Sequence, residues 1–289
     1  MTAPMGPFRV EPQPGEAFAL PAREPLAAQW SSLLERLPPR ASTFAVRDER
    51  GDVVLLGARP VEPLTDDADV TAIAFDPSGS WLATGHEDGG VRLWDAASPD
   101  PIWSRDPADE PIEGLAFVDQ GPWVLAWCED GPLLIIARES GELVTRIEDP
   151  QFASFVLAVS PRGDEVALTG RSVMRIALPG GEMRAMLDAG LENADSSVLW
   201  VDYLADASML VGVRASASPD GGDSVVFWNA EEGTRVGAID GLRGVCACDL
   251  SPDRRLAAVA TSDGDHARLY LVDTALRSVV REVALPHTG

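Results

Sequence analysis

Short runs in which apolar and polar residues alternate with a period of two recur along most of this chain, and turn residues fall between them at matched offsets. The clearest stretch, Val70 to Ser98, reads VTAIAFDPSGSWLATGHEDGGVRLWDAAS. An alternating run is followed by a Pro-Ser-Gly turn, a second run, an Asp-Gly turn and a third run. Alternation puts successive side chains on opposite faces of a strand, and Asp-Gly supplies the positive φ angles that a two-residue hairpin demands. Three antiparallel strands are therefore predicted here.

The pattern repeats. Aligned on the last apolar residue of the first run, the units end at Phe75, Phe117, Val159, Leu204 and Leu250, at intervals of 42, 42, 45 and 46 residues. Asp76-Pro77, Ser160-Pro161 and Ser251-Pro252 close the first run, while Asp88-Gly89, Asp130-Gly131 and Asp263-Gly264 link the second to the third. A common third-strand register appears as VRLWD from Val91, VVFWN from Val225 and ARLYLVD from Ala267. Upstream, Ser42 to Pro60 superimposes without a gap on Ser80 to Ser98, which adds a sixth unit. A period of this length marks a repeat architecture in which each unit shields the apolar face of its neighbour.

These units resemble the WD40 repeat, and Val70 to Asp95, ending in Trp94-Asp95, is the best single match. The resemblance covers roughly residues 43 to 286. It implies an all-β fold, a single β-propeller of four-stranded antiparallel blades, seven by chain length with six legible. The family commonly places a Gly-His pair ahead of the first strand, where the His joins a hydrogen-bonded network with the Trp. Here Gly85-His86 follows the second strand, and the chain has 3 histidines in all. That network is expected to be missing or substituted in nearly every blade, leaving apolar packing between blades to carry the stability. The unit containing SVMRIAL, Ser172 to Leu178, departs furthest from the pattern.

Residues 1–41 fit worst. They read as an extension with a short amphipathic helix within Pro21 to Leu37, because Leu26, Trp30, Leu33, Leu34 and Leu37 fall on one helical face. Residues 42–289 form the propeller.

Composition narrows the function. The chain is 45% hydrophobic, as globular domains are, and no apolar run approaches the roughly 18–20 residues that cross a bilayer, so a soluble, cytoplasmic protein is expected. Its net charge of −23 repels phosphate backbones and anionic lipid, which argues against nucleic acid and membranes as partners. All the basic residues are arginine, a usage that points to a GC-rich bacterial genome. Cys128, Cys246 and Cys248 suit a reducing compartment as buried small hydrophobes, since two cysteines two apart on a strand are poorly placed to bridge.

No GxSxG elbow, HExxH, Gly-rich loop ending in Lys or CxxC pair occurs, so no catalytic residue, metal site or cofactor is predicted. The acidic runs Ser262 to His266 and Pro219 to Asp223 lack the remaining ligands of a calcium loop and read as turns. His86, His266 and His287 read as solvated turn residues. The resemblance directs attention to one face, where turns between second and third strands meet the connections entering the first strands. Mapped here, that face brings His86, Glu87, Asp88, Trp127, Glu129, Asp130, Arg171, Arg214, Asp263 and His266. Its negative field favours a basic peptide or protein, with Trp127 and Arg171 as anchors. The chain thus reads as a non-catalytic interaction scaffold or sensor that binds a protein or peptide. Two alternatives stay open: a propeller hydrolase using a metal and channel carboxylates, for which Asp202 and Asp249 stand on first strands, and a structural subunit docking through its helix.

Overall fold

A computed structural model describes residues 44–47, 53–56, 69–95, 98, 100–128, 131–148, 156–170, 172–187, 197–215, 223–262 and 266–285. The predicted helix and His287 lie outside the described residues, as do Glu129, Asp130, Arg171 and Asp263. Strands β1 (Phe44–Arg47) and β2 (Val53–Leu56) pair as a hairpin with Phe44 opposite Leu56. Five four-stranded antiparallel sheets follow, each a meander of consecutive strands.

The first sheet holds β3 (Val70–Phe75), β4 (Trp81–His86), β5 (Val91–Asp95) and β6 (Pro101–Arg105), and the second holds β7 (Ile112–Phe117), β8 (Trp123–Cys128), β9 (Leu133–Ala137) and β10 (Leu143–Ile147). The third comprises β11 (Leu157–Val159), β12 (Glu165–Leu168), β13 (Val173–Ala177) and β14 (Met183–Leu187). The fourth comprises β15 (Ser197–Tyr203), β16 (Met209–Ala215), β17 (Asp223–Asn229) and β18 (Arg235–Leu242). The fifth comprises β19 (Val245–Leu250), β20 (Leu256–Ser262), β21 (Ala267–Asp273) and β22 (Ser278–Leu285).

Local chemistry sets these elements. Turns between first and second strands close with one repeated pair of backbone bonds: Asp76 N donates to Trp81 O and Gly79 N to Asp76 O, and Ser160, Leu204 and Ser251 begin the same arrangement. The fourth turn residue is left-handed, which suits Gly79 (φ 71°) and Gly163 (φ 69°), yet Ala207 (φ 58°) and Arg254 (φ 57°) occupy it in the last two sheets. Asp76 reinforces the first turn by accepting from Ser78 N and Trp81 N through its carboxylate. The fourth unit corrects the predicted alignment by one residue. Tyr203, not Leu204, ends β15, so second strands begin at Trp81, Trp123, Glu165, Met209 and Leu256, at intervals of 42, 42, 44 and 47 residues.

Packing between sheets explains why third strands are the most apolar. Strands β9, β13 and β17 are buried almost throughout, because a sheet lies against each of their faces. One apolar cluster joins the first sheet to the second through Leu93, Trp103, Ile112 and Leu115. Others join the second to the third, the third to the fourth and the fourth to the fifth. Consecutive sheets thus bury their facing surfaces on one another, which is the arrangement of propeller blades.

The Trp-centred network, expected to be missing or substituted in nearly every blade, is present in the first sheet in a substituted form. Trp94 Nε1 donates to Thr84 Oγ1 at 2.9 Å, and Thr84 Oγ1 lies 2.9 Å from His86 Nε2. The histidine reaches the network from the end of β4 itself, two residues beyond Thr84 and therefore on the same face. In the other sheets the Thr84 position is Ala126, Leu168, Gly212 or Val259, and apolar packing fills it. Cysteine placement also differs from expectation: all three are free, but only Cys128 is buried, while Cys246 is exposed and Cys248 half-buried. Burial pushes the Cys128 thiol up to about 11, so it stays protonated and unreactive at neutral pH.

Candidate functional site

Of the residues predicted to form a binding face, six are described, and they come from four different sheets. Glu87 and Asp88 project into solvent from the β4–β5 turn, where Asp88 Oδ1 accepts from Gly90 N at 2.9 Å. His266 is exposed ahead of β21. His86 is 0% exposed and bound into the Trp94 network, so its reading as a solvated turn residue is corrected. Trp127 is half-buried and lies against Gly114, its partner across β7 and β8; a Cβ at Gly114 would come within 2.0 Å of the indole. Arg214 donates to Ser224 Oγ at 2.9 Å, and Ser224 donates in turn to Asp240, which knits β16, β17 and β18 together. None of these six lines the cleft described next.

The concave site lies at the opposite ends of the strands, between the third and fourth sheets. A cleft of about 630 Å³ opens there, bounded by the β11–β12 turn, β14, the β15–β16 turn and the β17–β18 turn. Sequence position explains its origin. In register, the first residue of each second strand is Trp81, Trp123, Glu165, Met209 or Leu256, and the third sheet alone puts a charge there. Two residues before the end of the third strands stand Leu93, Ile135, Arg175, Phe227 and Leu271, and again the third sheet alone has a charge. One residue past the third strand of the following sheet, Arg138 places its guanidinium 4.7 Å from the centroid of Trp81. The same position is Leu178 beyond β13 and only Ala230 beyond β17. Indole and guanidinium, which fill the first seam, are therefore replaced by a carboxylate and a methyl group, and the seam stays open.

The floor is a buried ion pair. Arg175 grips both oxygens of Glu165, with Nη2 at 2.8 Å from Oε1 and 2.7 Å from Oε2, and Nε at 3.1 Å from Oε1. Their side chains are 10% and 4% exposed, so little water competes with the bidentate contact. Tyr203 OH, from the fourth sheet, donates to Glu165 Oε1 at 3.0 Å, and Arg175 Nη1 donates to the Ala230 carbonyl of the same sheet. Burial and the neighbouring Glu165 charge push the Tyr203 phenol far above its ordinary range, so it remains a donor. Arg184 bridges outward, with Nη1 at 3.0 Å from Glu165 Oε2 and 2.9 Å from Asp164 Oδ2. Burial alone would raise the Asp164 carboxyl, but the Arg184 hydrogen bond and charge hold it below the usual carboxylate range.

None of the cleft residues was singled out from the sequence. The available signal was Glu165 and Arg175 at positions that are apolar in the other units, two steps apart across adjacent strands. A second polar cluster sits on the first strands. Asp202 Oδ1 accepts from Arg254 Nη1 at 3.0 Å and from Tyr203 N at 2.7 Å, while Asp249 Oδ1 accepts from Leu250 N. Asp202 is thus engaged by a cation from the next sheet. Among the described residues, no group of three or more His, Cys, Asp and Glu is arranged to hold a metal ion.

Comparison with known proteins agrees with this geometry. A family model described as WD domain, G-beta repeat, matches residues 60–95. The chain is 34% identical over 109 residues to the ribosome biogenesis protein ERB1 of Malassezia globosa, a match covering 35% of this chain and 12% of that protein. It is 29% identical over 177 residues to the probable cytosolic iron-sulfur protein assembly protein 1 of Cryptococcus neoformans, covering 58% of this chain and 37% of the relative. Among solved structures, the β-propeller domain of Cps50 (Swd1) from Myceliophthora thermophila superimposes with a TM-score of 0.65 at 15% identity, over 78% of this chain and 74% of that one. The chain therefore carries a WD40 repeat and folds as a β-propeller, and it spans only about a tenth to a third of the curated relatives named here. Those relatives are fungal, so they lend no support to the bacterial origin suggested by arginine usage.

Proposed function

We infer that this chain is a non-catalytic protein-interaction scaffold whose partner docks in the cleft between the third and fourth blades. The carrying observation is that cleft: a preformed concavity on rigid strands, with polar groups convergent in it and a floor locked by the Glu165–Arg175 pair. The third strands β9, β13 and β17 are occupied by neighbouring sheets, so turns, outer strands and this open seam are what the fold can offer a partner. The names of the relatives, one in ribosome biogenesis and one in iron-sulfur protein assembly, belong to assembly processes and support a scaffold reading. Three free thiols suit a reducing compartment, in keeping with a cytoplasmic location.

The test is affinity capture from an extract of the native host with the intact chain and with Ser208→Trp, which plugs the cleft mouth. The intact chain should retain a defined protein, and the plugged variant should release it. Retention of nothing beyond an empty resin would overturn the scaffold reading; equal retention by both proteins would overturn the cleft as its site.

A further inference from the structure

The cleft also indicates what chemistry its occupant carries, an inference that rests on the scaffold reading above. Most of its charged groups are already engaged. Glu165 is neutralised by Arg175 and shares Arg184 with Asp164. Arg162, at the rim, donates through Nη2 to the Asp206 carbonyl, and the Asp206 carboxyl is held below its usual range chiefly by hydrogen bonds from Ser208, with a smaller pull from the Arg162 charge. What remains is the fourth-sheet wall, where Glu231 and Glu232 stand exposed on the β17–β18 turn with no cation among the cleft-lining residues of their own sheet. Their backbone N–H groups donate to Asn229 Oδ1 at 2.9 and 3.0 Å, which fixes the turn, and Glu232 Oε2 accepts from Thr234 Oγ1 at 3.1 Å. Beside them the lining is Ala207, Ala230, Gly233 and Ala185, small residues that put no bulky side chain into the cleft.

We propose that this cleft receives one basic side chain, arginine or lysine, from a peptide segment of the partner. The stem lies along Ala185, Ala207 and Ala230, and the cationic head sits between the carboxylates of Glu231 and Glu232. The first seam shows the same shape of solution within the chain, where Arg138 closes the space over Trp81. At this seam the Arg138 position is Ala230, which supplies no cation. An acidic side chain is disfavoured, since the lip carboxylates oppose it and a net charge of −23 repels it on approach.

Fluorescence polarisation of labelled octapeptides against the intact chain tests this, using (Ser-Arg)4 and (Ser-Glu)4 as probes. Glu231→Gln/Glu232→Gln should weaken (Ser-Arg)4 about tenfold, while Glu87→Gln/Asp88→Asn, an equal charge loss on the opposite face, should change it less than about twofold. Ser208→Trp should mimic the first variant without altering charge. Equal weakening by the two charge variants, preference for (Ser-Glu)4 or no binding of (Ser-Arg)4 would each overturn the proposal. All substituted positions are exposed, and an unchanged melting temperature verifies the fold. If the protein captured by the intact chain is released by Ser208→Trp but not by Glu231→Gln/Glu232→Gln, the basic-side-chain proposal fails while the scaffold reading stands.

Discussion

Between the first and second blades, Trp81 and Leu93 face an apolar neighbour and the Arg138 guanidinium closes over the indole. Between the third and fourth, the same two positions are Glu165 and Arg175, and the closing position is Ala230. The backbone register is shared, so strand pairing does not distinguish the two seams; side-chain volume and charge do. Apolar filling is non-directional and stabilises in proportion to area, at about 25 cal/mol per Å². A buried ion pair stabilises only while every lone pair and proton is satisfied, and it leaves space that bulky residues would have taken. One seam is built as core, the other as a floor beneath an opening.

Breaking the buried pair on one side should give the largest effect. Arg175→Ala leaves the Glu165 carboxylate buried with only Arg184 and Tyr203 beside it, and should lower stability by about 3–5 kcal/mol. Thermal unfolding should register this as a fall in Tm of roughly 2–4 °C per kcal/mol. Converting the third seam to the chemistry of the first, with Glu165→Leu/Arg175→Met, should restore stability to within about 1 kcal/mol of the parent or exceed it. A harmless Arg175→Ala would mean that the pair is solvated, and the contrast between the seams would collapse.

The first blade has its own polar device, and its loss should be smaller. Thr84→Val keeps the volume but removes the hydroxyl that accepts from Trp94 Nε1 and meets His86 Nε2, and should cost about 1–3 kcal/mol. Ala at the same place should cost more, because a cavity adds to the lost hydrogen bonds. Chemical denaturation of both variants measures the difference directly.

How far these features were legible follows from how local their causes are. Asp-Gly and Pro-Ser-Gly turns announce themselves because each residue supplies its own backbone requirement, so strands β3 to β5 match the expected segments. The fourth unit slipped by a residue because its turn, Leu204 to Ser208, contains neither glycine nor proline; Ala207 adopts φ 58° where Gly79 and Gly163 sit elsewhere. His86 was misread for the opposite reason. It follows a glycine near an Asp-Gly turn, yet it still pairs with Val70 as the last residue of β4, facing inward with Thr84. The cleft was illegible as a cavity, since it arises from what two separate units lack. Only the charges of Glu165 and Arg175 at otherwise apolar positions marked it.

Asp202 and Arg254 form an intermediate case between a buried and an exposed pair. Burial raises the Asp202 carboxyl above its ordinary range, while the charge and hydrogen bond of Arg254 pull it back. Arg254→Ala should let it rise further and cost about 1 kcal/mol at neutral pH. The sign follows from linkage: a carboxyl with a folded pKa above its unfolded value destabilises the fold when ionised, so stability falls as pH rises between the two values. The deficit of Arg254→Ala should therefore shrink as pH drops through the raised folded value towards the ordinary carboxylate range. A deficit independent of pH would assign the effect to the lost bond with the Tyr203 carbonyl.

The smallest effect should come from an ion pair with the same partners and none of the burial. Arg268 and Glu282 meet across β21 and β22 with side chains 47% and 46% exposed. Water screens their attraction, and fixing two long side chains offsets much of what is left, so Arg268→Ala should leave the unfolding transition where it is in the parent. Salt sharpens the contrast: at about 1 M the Debye length shrinks to about 3 Å, which should erase any remaining effect of Arg268→Ala and leave that of Arg175→Ala nearly intact. Chemistry is held constant between the two pairs, arginine against glutamate on neighbouring strands. A difference of several kcal/mol between these variants would then measure what the seam's low dielectric contributes, and equal effects would show that the floor of the cleft is as wet as the outer edge of the blade.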